Sequence, residues 1–146
     1  MPPPEFLNIH HLKFPVAELD RSLDFYKRAL GAQRLDYLDH RDRDGRLFAI
    51  ILDVPNLGTK LELRLHPGHA QAQQGFDPLT LGVHGRKDLE AWAAHFEAEG
   101  IAHSPVLTGF VGWVLVFEDP DGRRLRLYTH ETHGPELPPS TDAYWL

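Results

Sequence analysis

An internal repeat constrains the fold of this chain more than any other feature. Leu12, Phe14 and Val16 alternate with Lys13 and Pro15, and Leu79, Leu81 and Val83 repeat the pattern at an offset of 67 (79 − 12). Gly31 and Gly100 lie 69 apart, and Leu61 and Leu63 precede Leu125 and Leu127 by 64. Self-similarity at a near-constant offset marks two copies of one supersecondary unit, and small loop insertions account for the drift.

Each copy reads in the same order. In the first, alternation predicts a strand from about Ile9 to Val16. Leu19, Leu23, Tyr26 and Leu30 then recur at helical spacing, with Asp20 as the expected cap and Gly31 as the stop. Strands follow around Arg34–Asp39 and Arg46–Asp53, split by the turn signal Asp44-Gly45, and a third runs over Lys60–Leu65. In the second copy a strand over Leu79–Val83 leads to a helix capped by Asp88, with Leu89, Trp92, Ala93 and Phe96 inward, ending at Gly100. Strands over Ile101–Leu107, Gly112–Glu118 and Arg123–Thr129 complete it, the last two joined by the turn Asp119-Pro120-Asp121-Gly122.

The expected architecture is α+β: two paired βαβββ modules forming a curved mixed sheet with a central cavity. Residues 1–8 are an N-terminal extension, 9–65 the first module, 66–77 a linker without apolar periodicity, 78–130 the second module and 131–146 a tail. The tail is Pro-rich and then aromatic, and Tyr144 and Trp145 are expected to dock, a partner subunit being one place for them. With one helix on one face of each module, the alternate strand positions line the cavity. These are His11, Lys13 and Pro15 with Lys60, Glu62 and Arg64 in the first copy. In the second they are Pro78, Thr80 and Gly82 with Arg124, Arg126 and Tyr128.

Composition narrows the chemistry. A length of 146 residues suits one domain. No cysteine is present, which excludes a disulfide scaffold, a thiolate metal site and a thiol nucleophile. A formal charge of −6 without a basic stripe argues against nucleic acid as a partner. No apolar run approaches the roughly 18 residues of a membrane span. Met1-Pro2-Pro3-Pro4-Glu5 does not read as a secretory signal, so a cytoplasmic location is the expectation. Ten histidines leave a His/carboxylate metal site as the open question.

The chain resembles the vicinal oxygen chelate superfamily of glyoxalase I, bleomycin-resistance proteins, fosfomycin-resistance enzymes and extradiol dioxygenases. The residues that carry the resemblance are His11-Leu12-Lys13-Phe14-Pro15-Val16, Arg21-Ser22-Leu23-Asp24-Phe25-Tyr26 with Leu30-Gly31, and Asp119-Pro120-Asp121-Gly122-Arg123-Arg124-Leu125-Arg126-Leu127. It extends over Ile9–Thr129 and implies a glyoxalase-like fold, homodimers, and four metal positions in the first and last strands of the two modules. Carried over, those positions are His11 and Glu62, then Pro78 and Arg126. The first two suit a divalent ion such as Zn²⁺, Ni²⁺, Mn²⁺ or Fe²⁺. Proline has no side-chain donor and a guanidinium repels a metal.

Glu62, His11 and Arg126 are therefore the candidate catalytic residues, with His11 and Glu62 the candidate metal ligands. Arg126 either binds a carboxylate or phosphate of a small ligand or neutralises Glu62 across the cavity. Lys13, Arg64 and Arg124 add positive charge, and Tyr128 and Trp113 offer aromatic surface, Phe110 being a lesser candidate. The pairs His66/His69 and His130/His133 read as solvated. Three functions compete: a metal-dependent lyase, isomerase or dioxygenase; a metal-independent acid/base enzyme; and a protein that only sequesters a small polar or anionic molecule.

Overall fold

Period-two alternation builds both sheets. In β1 (His11–Val16) Phe14 and Val16 are buried while Lys13 is exposed, and in β9 (Arg124–Thr129) Leu125, Leu127 and Thr129 are buried while the intervening residues are half-buried. The computed structural model describes residues 1–146, and the chain divides into two compact units, Met1–Ala70 and Gln71–Leu146. The first unit carries β1, α1 (Leu19–Leu30), β2 (Gln33–Arg34), β3 (His40–Arg41), β4 (Leu47–Asp53) and β5 (Lys60–Leu65). After α2 (Pro67–Ala72), the second carries β6 (Leu79–Val83), α3 (Arg86–Glu99), β7 (Leu107–Thr108), β8 (Trp113–Glu118) and β9.

The sheets are mixed and share one connectivity. The first runs β1-β5-β4-β2 with β3 also on β4, and the second runs β6-β9-β8-β7. In each, the opening strand lies parallel to the closing one, β1 to β5 and β6 to β9, with the remaining pairs antiparallel. A parallel pair needs a crossover, and the helix supplies it. α1 packs on β5, with Tyr26 fully buried and its ring 6.1 Å from that of Phe14. α3 packs on β8 and β9, with the ring of Phe96 4.6 Å from that of Phe117. Both helices stop at a glycine in the left-handed region, Gly31 and Gly100, which need no Cβ there.

Several sequence expectations shift in detail. α1 is capped by Glu18, placing Asp20 in its first turn. Gly85 caps α3, and Asp88 is the third helical residue, whose carboxylate accepts the Gly85 N–H at 2.8 Å. The strand expected over 34–39 is only β2, because Arg34 clasps Asp39 and folds Asp36–Leu38 into a 3-10 turn before β3. The strand expected over 101–107 shrinks to β7 with an isolated bridge at His103. The 66–77 linker contains α2, where Pro67 gives up no needed N–H and the His66 Nδ1 accepts the His69 N–H at 3.0 Å.

The turn before β9 is pinned internally. Asp119 and Arg123 are fully buried at their side chains and paired at 2.6 Å, and Asp119 also accepts the N–H groups of Asp121 and Arg123. No helix is long and apolar enough to cross a membrane.

Candidate functional site

Glu62 sits mid-strand in β5, opposite Lys13 in β1 and Ile51 in β4, and is 2 % exposed. A buried carboxylate is costly unless its oxygens are satisfied. Its Oε2 accepts a hydrogen bond from the Arg64 Nε at 2.8 Å. Its Oε1 faces two imidazoles, with the His11 Nε2 at 3.6 Å and the His40 Nε2 at 3.7 Å. These three residues line a cavity of about 730 Å³ within the first unit, with Ile51, Asp53 and Lys60 also on its wall.

Neighbouring groups orient the imidazoles. The Leu38 carbonyl lies 2.8 Å from the His40 Nδ1. A carbonyl only accepts, so the Nδ1 donates to it, and the ring presents its Nε2 towards Glu62. The His11 Nδ1 lies 3.0 Å from the His10 Nδ1, one ring donating to the other. His40 is held in place by the loop before it, where Arg34 bonds both oxygens of Asp39 at 3.0 and 2.6 Å. The hydrogen bond to Arg34 holds the Asp39 carboxyl below its ordinary range, against the opposing effect of burial. The same bond pushes the Arg34 guanidinium up.

Sequence reasoning missed His40. β3 is two residues long, too short for any alternation to register, and the only available signal was a polar block just before the Asp44-Gly45 turn.

The structure brings together only some of the expected site residues. His11, Glu62 and Arg64 meet as described, and Lys13 is exposed on the neighbouring strand. In the second unit Arg126 pairs with Asp77 at 2.6 Å. Arg124 lies 3.6 Å from Glu118 and donates to the Tyr144 carbonyl at 2.7 Å. The Tyr128 hydroxyl accepts the N–H groups of Val111 and Gly112. Trp113 alternates with Val114 and falls on the α3 side of its sheet, where the Arg86 guanidinium lies 5.5 Å from its ring. Phe110 is 84 % exposed. His66 and His69 stack at 3.6 Å, and both ring nitrogens of His133 meet carbonyl oxygens, those of Gly134 and Gly109.

The four metal positions implied by the resemblance do not form a matching donor set. His11 and Glu62 carry donor atoms, Pro78 has none, and Arg126 is cationic and paired. No group of three or more His, Asp or Glu side chains is drawn together in metal-binding geometry. In the first-unit cavity one carboxylate oxygen and two imidazole nitrogens converge beside an arginine that holds the second oxygen in place.

Comparison with known proteins finds relatives of the chain as a whole. The family model described as the Glyoxalase/Bleomycin resistance protein/Dioxygenase superfamily matches residues 8–127. A Bacillus subtilis (strain 168) protein named for ring-cleaving dioxygenase activity, MhqA, is 30 % identical over 128 residues, covering 84 % of this chain and 40 % of that protein. The chain thus spans about two fifths of the length of this relative. A glyoxylase/bleomycin resistance protein/dioxygenase domain from Frankia sp. EAN1pec superposes with a TM-score of 0.68 at 22 % identity, covering 87 % of this chain and all of that one. TnmS3, an antibiotic binding protein from Streptomyces sp. CB03234, superposes with a TM-score of 0.66 at 22 % identity, covering 85 % and 96 %.

Proposed function

The chain belongs to the Glyoxalase/Bleomycin resistance protein/Dioxygenase superfamily, and from that premise we propose that it binds a small polar molecule in the first-unit cavity and exchanges protons with it through Glu62, independently of the four-position metal site. One observation carries the reading: Glu62 is buried with Oε2 committed to Arg64, while Oε1 faces two imidazoles on the cavity wall. A carboxylate held this way takes a proton from a bound O–H or N–H group, and His11 or His40 holds or returns a proton beside it. The arginines expected to attract an anion are engaged elsewhere, Arg64 with Glu62 and Arg126 with Asp77. Polar rather than strongly anionic ligands therefore suit the cavity.

A second reading draws on the MhqA likeness: a metal-dependent lyase, isomerase or dioxygenase in which His11 and Glu62 supply two ligands and the rest come from outside this chain. Metal analysis of untagged protein beside a Glu62→Gln variant separates the two. The proposed reading expects the same sub-stoichiometric metal in both. Stoichiometric metal in the wild type that is lost in Glu62→Gln would overturn it in favour of the second. The assembly we propose is a homodimer, because Phe6 and Leu7 present apolar side chains that are 88 % and 97 % exposed.

A further inference from the structure

We propose that His133 is a proton-operated latch on the turn between β7 and β8. Protonated on both ring nitrogens, it pins that turn to the segment after β9, and on losing one proton it lets the turn loosen. The observation behind this is the double engagement of a single ring. The His133 Nδ1 lies 2.5 Å from the Gly134 carbonyl oxygen, and its Nε2 lies 2.8 Å from that of Gly109. A carbonyl oxygen only accepts, so each contact needs an N–H, and a neutral imidazole carries one N–H. Both bonds together are therefore made by the imidazolium. With one proton gone, a ring lone pair faces one of the two carbonyl oxygens, and attraction there becomes repulsion.

The turn is built so that this ring matters. It spans Gly109–Gly112 and is closed by the Gly109 N–H donating to the Gly112 carbonyl at 2.7 Å. The Tyr128 hydroxyl accepts the Val111 and Gly112 N–H groups at 2.9 and 3.1 Å. The Val111 carbonyl accepts the His133 backbone N–H at 3.0 Å, and the Gly109 carbonyl faces the His133 side chain. Phe110 and Val111 both project into solvent, so apolar packing of these side chains does little to fix the turn. Its position rests on hydrogen bonds, and a bond whose donor is ionised is the stronger kind.

The surroundings do not oppose a positive ring. On β8, Trp113 meets the His133 ring edge-on with centroids 5.4 Å apart, and the Arg86 guanidinium of α3 lies 5.5 Å from the same indole. Two carboxylates on the segment after β9 stand against that one cation. Glu131 accepts the Arg86 backbone N–H at 2.9 Å, and a Cβ on Gly134 would collide with the Glu136 carboxylate. β9 contributes the Tyr128 hydroxyl, which is committed to the turn, and Gly109-Phe110-Val111-Gly112 carries no titratable side chain.

Hydrogen exchange followed across the titration of the ring tests this. Full-length 15N-labelled protein is observed by NMR from about pH 5.5 to 9, a range that brackets ordinary imidazole titration. The readouts are the proton count on the His133 ring nitrogens and the protection factors of the Val111 and Gly112 amides, corrected for the intrinsic pH dependence of exchange. As the ring loses its second proton, both protection factors are expected to fall about three- to tenfold, the equivalent of one hydrogen bond. His133→Gln keeps a side-chain donor that does not titrate, and is expected to abolish the step. Tyr128→Phe removes the other side-chain tie to the turn, and is expected to lower protection overall while keeping the step. Protection that stays constant while the ring titrates, a step of equal size in His133→Gln, or a ring whose proton count never changes over this range overturns the proposal.

Discussion

At the scale of single residues, the informative groups are charged side chains held by specific partners. Asp39 is held as a carboxylate by Arg34, and that clasp ends in the strand carrying His40. A depressed carboxyl stabilises the fold above its unfolded pKa, near 4, and loses that contribution as pH falls through its lower folded value. Asp39→Asn is therefore expected to cost about 1.5 kcal/mol at neutral pH. Urea midpoints measured from neutral to strongly acidic pH should show wild type and variant converging in acid. A constant gap across that range would refute the assignment. Glu62 was legible from sequence as a carboxylate between leucines that needs a partner. Its partners were not, because Arg64 lies two residues along the same strand and His40 reaches it from beyond β4.

At the scale of elements, the closing turn of the second unit does what neither of its flanking strands can do alone. Asp119 and Arg123 bury a charge pair and cap the turn from within, so removing one charge strands the other. Asp119→Asn should destabilise the protein by about 3–5 kcal/mol, measured as a lower thermal midpoint and urea midpoint. Gly112 at the mouth of β8 is equally demanding: a Cβ there would meet the Thr129 hydroxyl and stand 2.7 Å from the Glu131 carbonyl oxygen. Gly112→Ala is expected to cost about 1–3 kcal/mol, through backbone displacement that no rotamer change relieves. The strands read correctly from sequence were the longer ones, of five or more residues, such as β1, β5 and β9. Those misjudged, over 34–39 and 101–107, are places where side-chain hydrogen bonds or short pairings override local pattern.

At the scale of the whole molecule, two units with the same strand connectivity have been put to different uses. The first keeps an open cavity with Glu62 on its wall, and the second covers the corresponding face with Trp145. The exposed Phe6 and Leu7 should stabilise a homodimer, so Phe6→Ser/Leu7→Ser is expected to shift sedimentation towards monomer at micromolar concentration; an unchanged coefficient would count against that assembly. By itself the sequence determined the repeat, the α+β order and the faces of the side chains in β1, β5 and β9. Those follow from periodicity, which is local and obeyed by every residue of a strand. Only the tertiary structure decided that Arg126 pairs with Asp77, that His40 joins His11 at Glu62, and that the tail folds back on Arg124. Such pairings depend on distances between segments far apart in the chain, set by how strands register and loops close, and no local pattern encodes them.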